Sequence, residues 1–133
     1  MLSILIADDE AFLLHILAEK IGRAGHTITT ASDGQQGFDL ASQVLPDLII
    51  TDFQMPVMTG LEMSMKLRQQ ATTAEIPILL VTARGHRVEN DELSRTNIIS
   101  VISKPFSAKE LLAKVEELAQ GLVRKNAARA SAA

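Results

Sequence analysis

Three acidic side chains and two other polar side chains each follow or end a short apolar run of the sequence. Asp8 and Asp9 follow an apolar run near the start of the chain, and Asp52 ends a second one. Two further apolar runs lead to Thr82 and Lys104. Carboxylates that share a pocket disfavour each other's ionisation, so a pocket holding all three acids needs positive charge. Hard divalent cations such as Mg²⁺ prefer oxygen ligands, and we therefore predict a metal site at these acids.

The same residues would suit the transfer of a phosphoryl group. An incoming phosphoryl group would meet two cations, the metal ion and the Lys104 ammonium. The Asp52 carboxylate could then attack phosphorus to form an acyl phosphate, and the Thr82 hydroxyl could hydrogen-bond a phosphoryl oxygen. Each residue alone has a simpler explanation, because an acid after a strand commonly caps the next helix and Lys-Pro commonly forms a turn. The chemistry is predicted only because all of them end strands at one edge.

Five strands and five helices are predicted to position these residues. Short apolar, partly β-branched runs alternate with segments whose apolar residues recur at helical spacing. Strands are predicted at residues 3–7, 27–31, 48–51, 78–82 and 98–102, with the third helix at 61–70 and the fourth at 88–95. This alternation forms a parallel sheet with helices on both faces. We predict a flavodoxin-like, doubly wound (βα)5 α/β fold with strand order 2-1-3-4-5, in which ligands bind at the carboxyl ends of the strands.

Length and composition indicate one globular domain. The 133 residues are enough to form a core. We expect the domain to span residues 1–122, and residues 123–133, rich in Arg, Lys, Ala, Asn and Ser, to form a flexible tail or the start of a linker. His15, His26 and His86 lack metal-ligand spacing, and we expect them to be solvated.

Several classes of function are excluded by what the sequence lacks. It contains no cysteine, which removes disulfides, thiolate metal sites and thiol nucleophiles. A net charge of −3 and the absence of Trp and Tyr argue against direct nucleic-acid binding. No apolar run could span a membrane, and the first residues do not read as a signal peptide. We therefore expect a cytoplasmic protein without membrane contacts, present as a monomer or weak dimer.

The strand-end motifs together resemble the receiver domain of two-component response regulators, of the chemotaxis type. The motifs are Asp8-Asp9, the run Leu-Ile-Ile-Thr-Asp-Phe-Gln-Met-Pro around Asp52 with Gly60 beyond it, Thr82-Ala83 and Lys104-Pro105-Phe106. The resemblance covers residues 2–120. It implies that a histidine kinase or histidine phosphotransfer protein donates a phosphoryl group to the strand-end aspartate. It also implies that an output protein or effector domain meets the face formed by the fourth helix, fifth strand and fifth helix.

The resemblance implies how each residue of the site would act. Asp9 and Asp52 would ligate Mg²⁺ directly, or Mn²⁺ in its place, and Asp8 would act mostly through water. The main-chain carbonyl of Gln54 would complete the protein ligands. Lys104 would pair with the phosphoryl group, and the peptide bond to Pro105 would be cis.

The same resemblance assigns residues to switching and to phosphoryl lifetime. Thr82 would move toward the phosphoryl group, while an aromatic residue three positions before the lysine would swing inward. Val101 stands at that position and is stiff and small, so we expect an atypical relay. Gln54 and Arg84 would flank the acyl phosphate and tune its hydrolysis.

Three other functions fit part of the pattern. A phosphatase of the haloacid dehalogenase type also uses a strand-end Asp with Mg²⁺ and a Lys, but usually carries a second acid where Gln54 stands. A flavodoxin-like cofactor binder would need a Gly- and hydroxyl-rich phosphate loop where Asp8 and Asp9 stand. A receiver-like protein-binding module would not need the complete set of polar residues. We expect a phosphoryl-accepting switch rather than a turnover enzyme.

Overall fold

The fold was analysed in a computed structural model that describes residues 1–83 and 88–132, with side chains up to Leu122. The strands are β1 (Ser3–Ala7), β2 (Thr27–Ala31), β3 (Leu48–Asp52), β4 (Ile78–Thr82) and β5 (Ile98–Ser103). They form one parallel sheet in the order β2-β1-β3-β4-β5. The strand order and the parallel topology confirm the predicted fold.

Five helices connect or follow the strands. They are α1 (Ala11–Arg23), α2 (Gly34–Val44), α3 (Gly60–Arg68), α4 (Asn90–Leu93) and α5 (Ala108–Ala132). The Ser107 hydroxyl accepts from the Glu110 N–H at the start of α5. The backbone of α5 continues without a break across residue 122, and the division into residues 1–122 and 123–133 stays a prediction.

Helix α4 is shorter than the predicted range 88–95. It begins at Asn90, because the Glu92 side chain accepts from the Glu89 N–H at the preceding cap position. It ends at Leu93, whose carbonyl accepts from the Thr96 hydroxyl, while the same hydroxyl accepts from the Ile98 N–H. Such local side-chain bonds compete with helical ones, and here they turn the chain into β5.

The core consists of two layers on opposite faces of the sheet. Strands β1, β3 and β4 are covered on both faces, which is why they are almost wholly apolar. One face packs against α1 and α5, and the other against α2 and α3. The first layer contains Ile4, Ile6, Leu17, Ile21, Ile50, Leu79, Leu111 and Val115, and the second contains Leu5, Ala41, Ile49, Met63, Leu67 and Ile78. Neighbouring strand residues thus anchor opposite layers and fix the sheet's register.

The loop after β3 is fixed by close backbone contacts. The Phe53 N–H donates to the Val81 carbonyl at 2.8 Å, and the Gly60 N–H donates back to the Phe53 carbonyl at 2.9 Å. Thr59 and Glu62 then form a capping box that starts α3. The last residue of β3 is therefore held from both sides.

His26 is buried, so the prediction that it is solvated was wrong. Its Nδ1 accepts from the Leu2 N–H at 3.1 Å, which leaves the proton on Nε2 to be donated to Glu116 Oε1 at 2.8 Å. Gly25, at a φ of 104°, turns the chain so that His26 points inward. His15, with 78% of its side chain exposed, is solvated as predicted, and His86 lies outside the described residues.

Replacing His26 with alanine is expected to lower the free energy of unfolding by about 2 kcal/mol, because the buried Leu2 N–H would lose its acceptor. Urea denaturation measures the change. The matched control is His15→Ala, which we expect to alter stability by less than about 0.5 kcal/mol because that side chain is exposed. Equal effects of the two substitutions would show that the His26 contacts contribute nothing.

Candidate functional site

The carboxyl ends of the strands bring the three predicted acids together. Asp8 directly follows β1, and Asp52 ends the neighbouring strand β3. Asp8, Asp9 and Asp52 each offer a carboxylate oxygen, and these oxygens all lie within 4.8 Å of one another. Asp8 and Asp52 are buried, whereas Asp9 is exposed. A cluster of this kind could hold a metal ion with one side open to solvent.

The electrostatics of the acids fit a hard cation. Burial, and then the neighbouring charge of Asp8, raise the pKa of Asp52 to about 6, although Lys104 acts in the opposite direction. Burial likewise raises the pKa of Asp8, against the hydrogen bond that its Oδ1 accepts from the Glu10 N–H. Ionised carboxylates at these positions are therefore incompletely neutralised by the protein. A cation that prefers carboxylate oxygen would supply the missing charge.

Lys104 supplies a fixed positive charge beside the acids. Its Nζ lies 3.4 Å from Asp52 Oδ1 and 3.2 Å from Glu10 Oε1. Burial lowers the pKa of Lys104, but the charge of Asp52 and the bond to Glu10 outweigh it, so the pKa is raised overall. The backbone N–H of Lys104 donates to the Thr82 carbonyl at 2.8 Å, and the Lys104–Pro105 peptide bond is cis, as the resemblance implied. The ammonium is therefore held at the strand-end edge.

Thr82 presents a buried hydroxyl without a partner in the part of the chain that the structure describes. The residue is fully buried at the end of β4, and no group among the described residues hydrogen-bonds its Oγ1. An unpaired buried hydroxyl destabilises a fold, and the described part of the chain supplies no partner for this one. A phosphoryl oxygen bound at the neighbouring Asp52 would be such a partner.

Thr82→Val is expected to raise the free energy of unfolding by about 1 kcal/mol, because valine keeps the shape of threonine and removes a hydroxyl that has no partner among the described residues. Thr51→Val is the matched control on β3, since the Thr51 hydroxyl donates to the Asp52 carbonyl at 3.0 Å. We expect that control to lower stability by about 1 kcal/mol. Urea denaturation measures both, and a destabilising Thr82→Val would mean that the hydroxyl is satisfied.

Two of the remaining predicted site residues are exposed, a third lies outside the described residues, and one contact was not predicted. Gln54 is exposed in the loop after β3, and Val101 is 42% exposed on the edge strand β5. Arg84 lies outside the described residues. The ion pair between Glu10 and Lys104 was missed, because Glu10 reads as an acid at the start of α1. The signal that could have found it is its place beside Asp8 and Asp9 at the same strand end.

Comparisons with known proteins agree with the fold. The family model described as "Response regulator receiver domain" matches residues 4–116. The DNA-binding dual master transcriptional regulator RpaA of Synechocystis sp. is 34% identical over 115 residues, which cover 86% of this chain and 48% of that protein. The phosphate regulon transcriptional regulatory protein PhoB of Pseudomonas aeruginosa is 32% identical, covering 86% of this chain and 50% of that protein.

Solved structures give the same result. The chemotaxis response regulator CheY4 of Vibrio cholerae superposes with a TM-score of 0.80 at 29% identity, covering 88% of this chain and 98% of that one. The receiver domain of the Francisella response regulator 1452 has a TM-score of 0.80 at 27% identity, covering 94% and 99%. The fold is that of a small signalling domain. The chain belongs to the response regulator receiver domain family, and it is a phosphoryl-accepting signalling switch.

The chain matches only part of the length of some of its relatives. The chain spans about half the length of RpaA and PhoB, whose names describe transcriptional regulators. Across the residues that the structure describes, no helix has the length and apolar character needed to cross a membrane.

Proposed function

We propose that Asp52 accepts a phosphoryl group from a phosphorylated histidine of a kinase or phosphotransfer protein. One observation carries the assignment: the buried Asp52 carboxylate lies beside those of Asp8 and Asp9 and 3.4 Å from the Lys104 ammonium. The neighbouring strand ends at Thr82, whose hydroxyl has no partner among the described residues. A carboxylate oxygen of Asp52 would form the new bond to phosphorus as the bond from phosphorus to the histidine nitrogen breaks. The histidine nitrogen would leave with the electron pair, and Asp52 would become an acyl phosphate.

We propose that Asp8, Asp9, Asp52 and the main-chain carbonyl of Gln54 hold Mg²⁺, or Mn²⁺ in its place. The oxygen-only donor set and the raised pKa values of Asp8 and Asp52 support a hard cation. When bound, such a cation supplies positive charge against the phosphoryl oxygens. Lys104 would exchange its contact with Asp52 Oδ1 for a phosphoryl oxygen.

Thr82 is proposed to report the phosphoryl group to the rest of the domain. Its hydroxyl would donate to a phosphoryl oxygen, and its carbonyl already accepts from the Lys104 N–H at the end of β5. A shift of β4 would therefore also move β5, where Val101 is exposed. Val101 is proposed as an atypical switch position, and exposed Gln54 together with Arg84 as residues that set the phosphoryl lifetime.

Two surfaces are proposed for partners. Exposed Phe12 and Ile16 lie on α1, which begins directly after the acids, and they support docking of a protein phosphodonor. Ile99 and Val101 are 49% and 42% exposed on the edge strand β5, and they support an output surface formed by α4, β5 and α5. The partner there would be an output protein or effector domain. We propose a cytoplasmic protein that is a monomer or weak dimer and does not bind nucleic acid through this domain.

The proposed switch accepts one phosphoryl group, whereas an enzyme would turn over many substrate molecules. Gln54 offers no acid two residues beyond Asp52, so a leaving group would receive no proton from that position. Incubation with acetyl phosphate and Mg²⁺ is expected to place one phosphoryl group on each chain, without steady phosphate release from aryl phosphate esters. Steady release from such esters would favour the haloacid dehalogenase type of phosphatase. A chain that takes up no phosphoryl group would favour the protein-binding module.

A further inference from the structure

Lys104 has a second carboxylate partner that belongs to none of the proposed site residues. The distance from Lys104 Nζ to Glu10 Oε1 is 3.2 Å, shorter than the 3.4 Å to Asp52 Oδ1. Glu10 lies at the N-cap of α1 and Lys104 just after β5, so the contact joins two elements that are 94 residues apart in sequence. The Lys104 side chain is only 27% exposed, whereas that of Glu10 is 62% exposed.

The position of Glu10 sets this contact apart from an ordinary surface ion pair. Isolated exposed pairs contribute little, because water screens them and ordering two long side chains costs entropy. Here the ammonium is also bound to buried Asp52, so part of its water shell is already gone. The backbone N–H of Glu10 donates to Asp8 Oδ1 at 2.9 Å, which fixes Glu10 at the edge of the acid cluster. Glu10 therefore touches the site through its main chain and its side chain.

We propose that Glu10 is a positioning residue that holds the Lys104 ammonium in the resting protein and competes with an incoming phosphoryl group for it. This inference rests on the proposed function of Asp52. Glu10 Oε1 and a phosphoryl oxygen would share the same ammonium, which lies beside Asp52. When Lys104 exchanges its Asp52 contact for a phosphoryl oxygen, the negative charge of Glu10 offsets the charge of the ammonium and weakens the new contact. The side chain of Glu10 thus slows acceptance and restores Lys104 to its resting place after hydrolysis.

Two variants separate the contact from the charge. Glu10→Gln keeps the length of the side chain and removes its charge, whereas Glu10→Asp keeps the charge and shortens the reach to Lys104. With acetyl phosphate and Mg²⁺ as the probe, we expect Glu10→Gln to accept phosphoryl groups about 3- to 10-fold faster than the parent. We expect Glu10→Asp to be faster than the parent as well. Glu19→Gln, which removes one charge from the exposed part of the same helix, is expected to leave the rate unchanged.

A titration of Lys104 in the unphosphorylated protein gives a readout besides the rate. Both Glu10 variants are expected to lower the pKa of Lys104, which is measured by NMR at the ε-carbon of that residue. Glu19→Gln is expected to leave the pKa of Lys104 unchanged. A parent that takes up no phosphoryl group would refute the proposed function. A parent that is phosphorylated at the same rate as both Glu10 variants, with the same Lys104 pKa, would refute only the competition by Glu10.

Discussion

Replacing Gly60 with alanine is expected to lower the free energy of unfolding by about 3 kcal/mol or more. The added Cβ would lie 2.1 Å from the Asp52 carbonyl oxygen and 3.0 Å from Thr51 Oγ1. No flexible side-chain end lies there to yield, so the backbone of β3 or α3 must move. The same movement would displace Asp52, and we expect phosphoryl acceptance to fall along with stability.

The matched control is the same substitution at Gly121 in α5. Among the described residues, no atom lies within 4 Å of the position that its Cβ would take, so alanine meets open space there. Alanine is also the better helix former, and we expect Gly121→Ala to raise the free energy of unfolding by about 0.5 to 1 kcal/mol. Urea denaturation should therefore move the two midpoints in opposite directions. A Gly60→Ala protein as stable as the parent would contradict the close approach of α3 to the end of β3.

Replacing Asp52 with asparagine is expected to stabilise the protein at pH 7 by about 2 kcal/mol. The folded protein raises the pKa of Asp52 from an ordinary 3.8 to about 6, so it binds this proton more tightly than the unfolded chain does. The stability from this group is complete below about pH 4 and is lost as the pH rises through about 6. Asparagine carries no such charge, so the advantage of the variant should grow between pH 4 and pH 7.

The difference in unfolding free energy between Asp52→Asn and the parent isolates this effect from other ionisable groups. Asp39→Asn, at an exposed position on α2, is the control for the removal of one negative charge. Mg²⁺ should stabilise the parent at pH 7 more than Asp52→Asn, because it binds the ionised carboxylates. A difference that shrinks as the pH rises from 4 to 7 would show that Lys104 neutralises Asp52 fully, contrary to the raised pKa.

Much of the fold could be predicted because a strand that is buried on both faces consists almost entirely of apolar residues. Strands β1, β3 and β4 are short apolar runs that end in polar residues. Parallel topology then places all their carboxyl ends at one edge, which is why Asp8 and Asp52, 44 residues apart in sequence, could be expected to meet.

The contacts that were not predicted depend on the tertiary structure. His26 contacts Glu116, which is 90 residues away in sequence. A single polar residue after a glycine turn belongs to no sequence pattern that would predict its burial. Glu10 meets Lys104 across 94 residues for the same reason. Helix α4 ends early because the Thr96 hydroxyl makes two hydrogen bonds, to the Leu93 carbonyl and from the Ile98 N–H. Helix propensities describe single residues and do not include such local side-chain bonds.

The most direct test of the central claim is the intact mass of the protein after incubation with acetyl phosphate and Mg²⁺. We expect the parent to gain one phosphoryl group, and Asp52→Ala, or the parent with a chelator, to gain none. Tandem mass spectrometry of the parent should place the group on Asp52. A phosphoryl group that persists in Asp52→Ala, or never forms on the parent, would contradict the account.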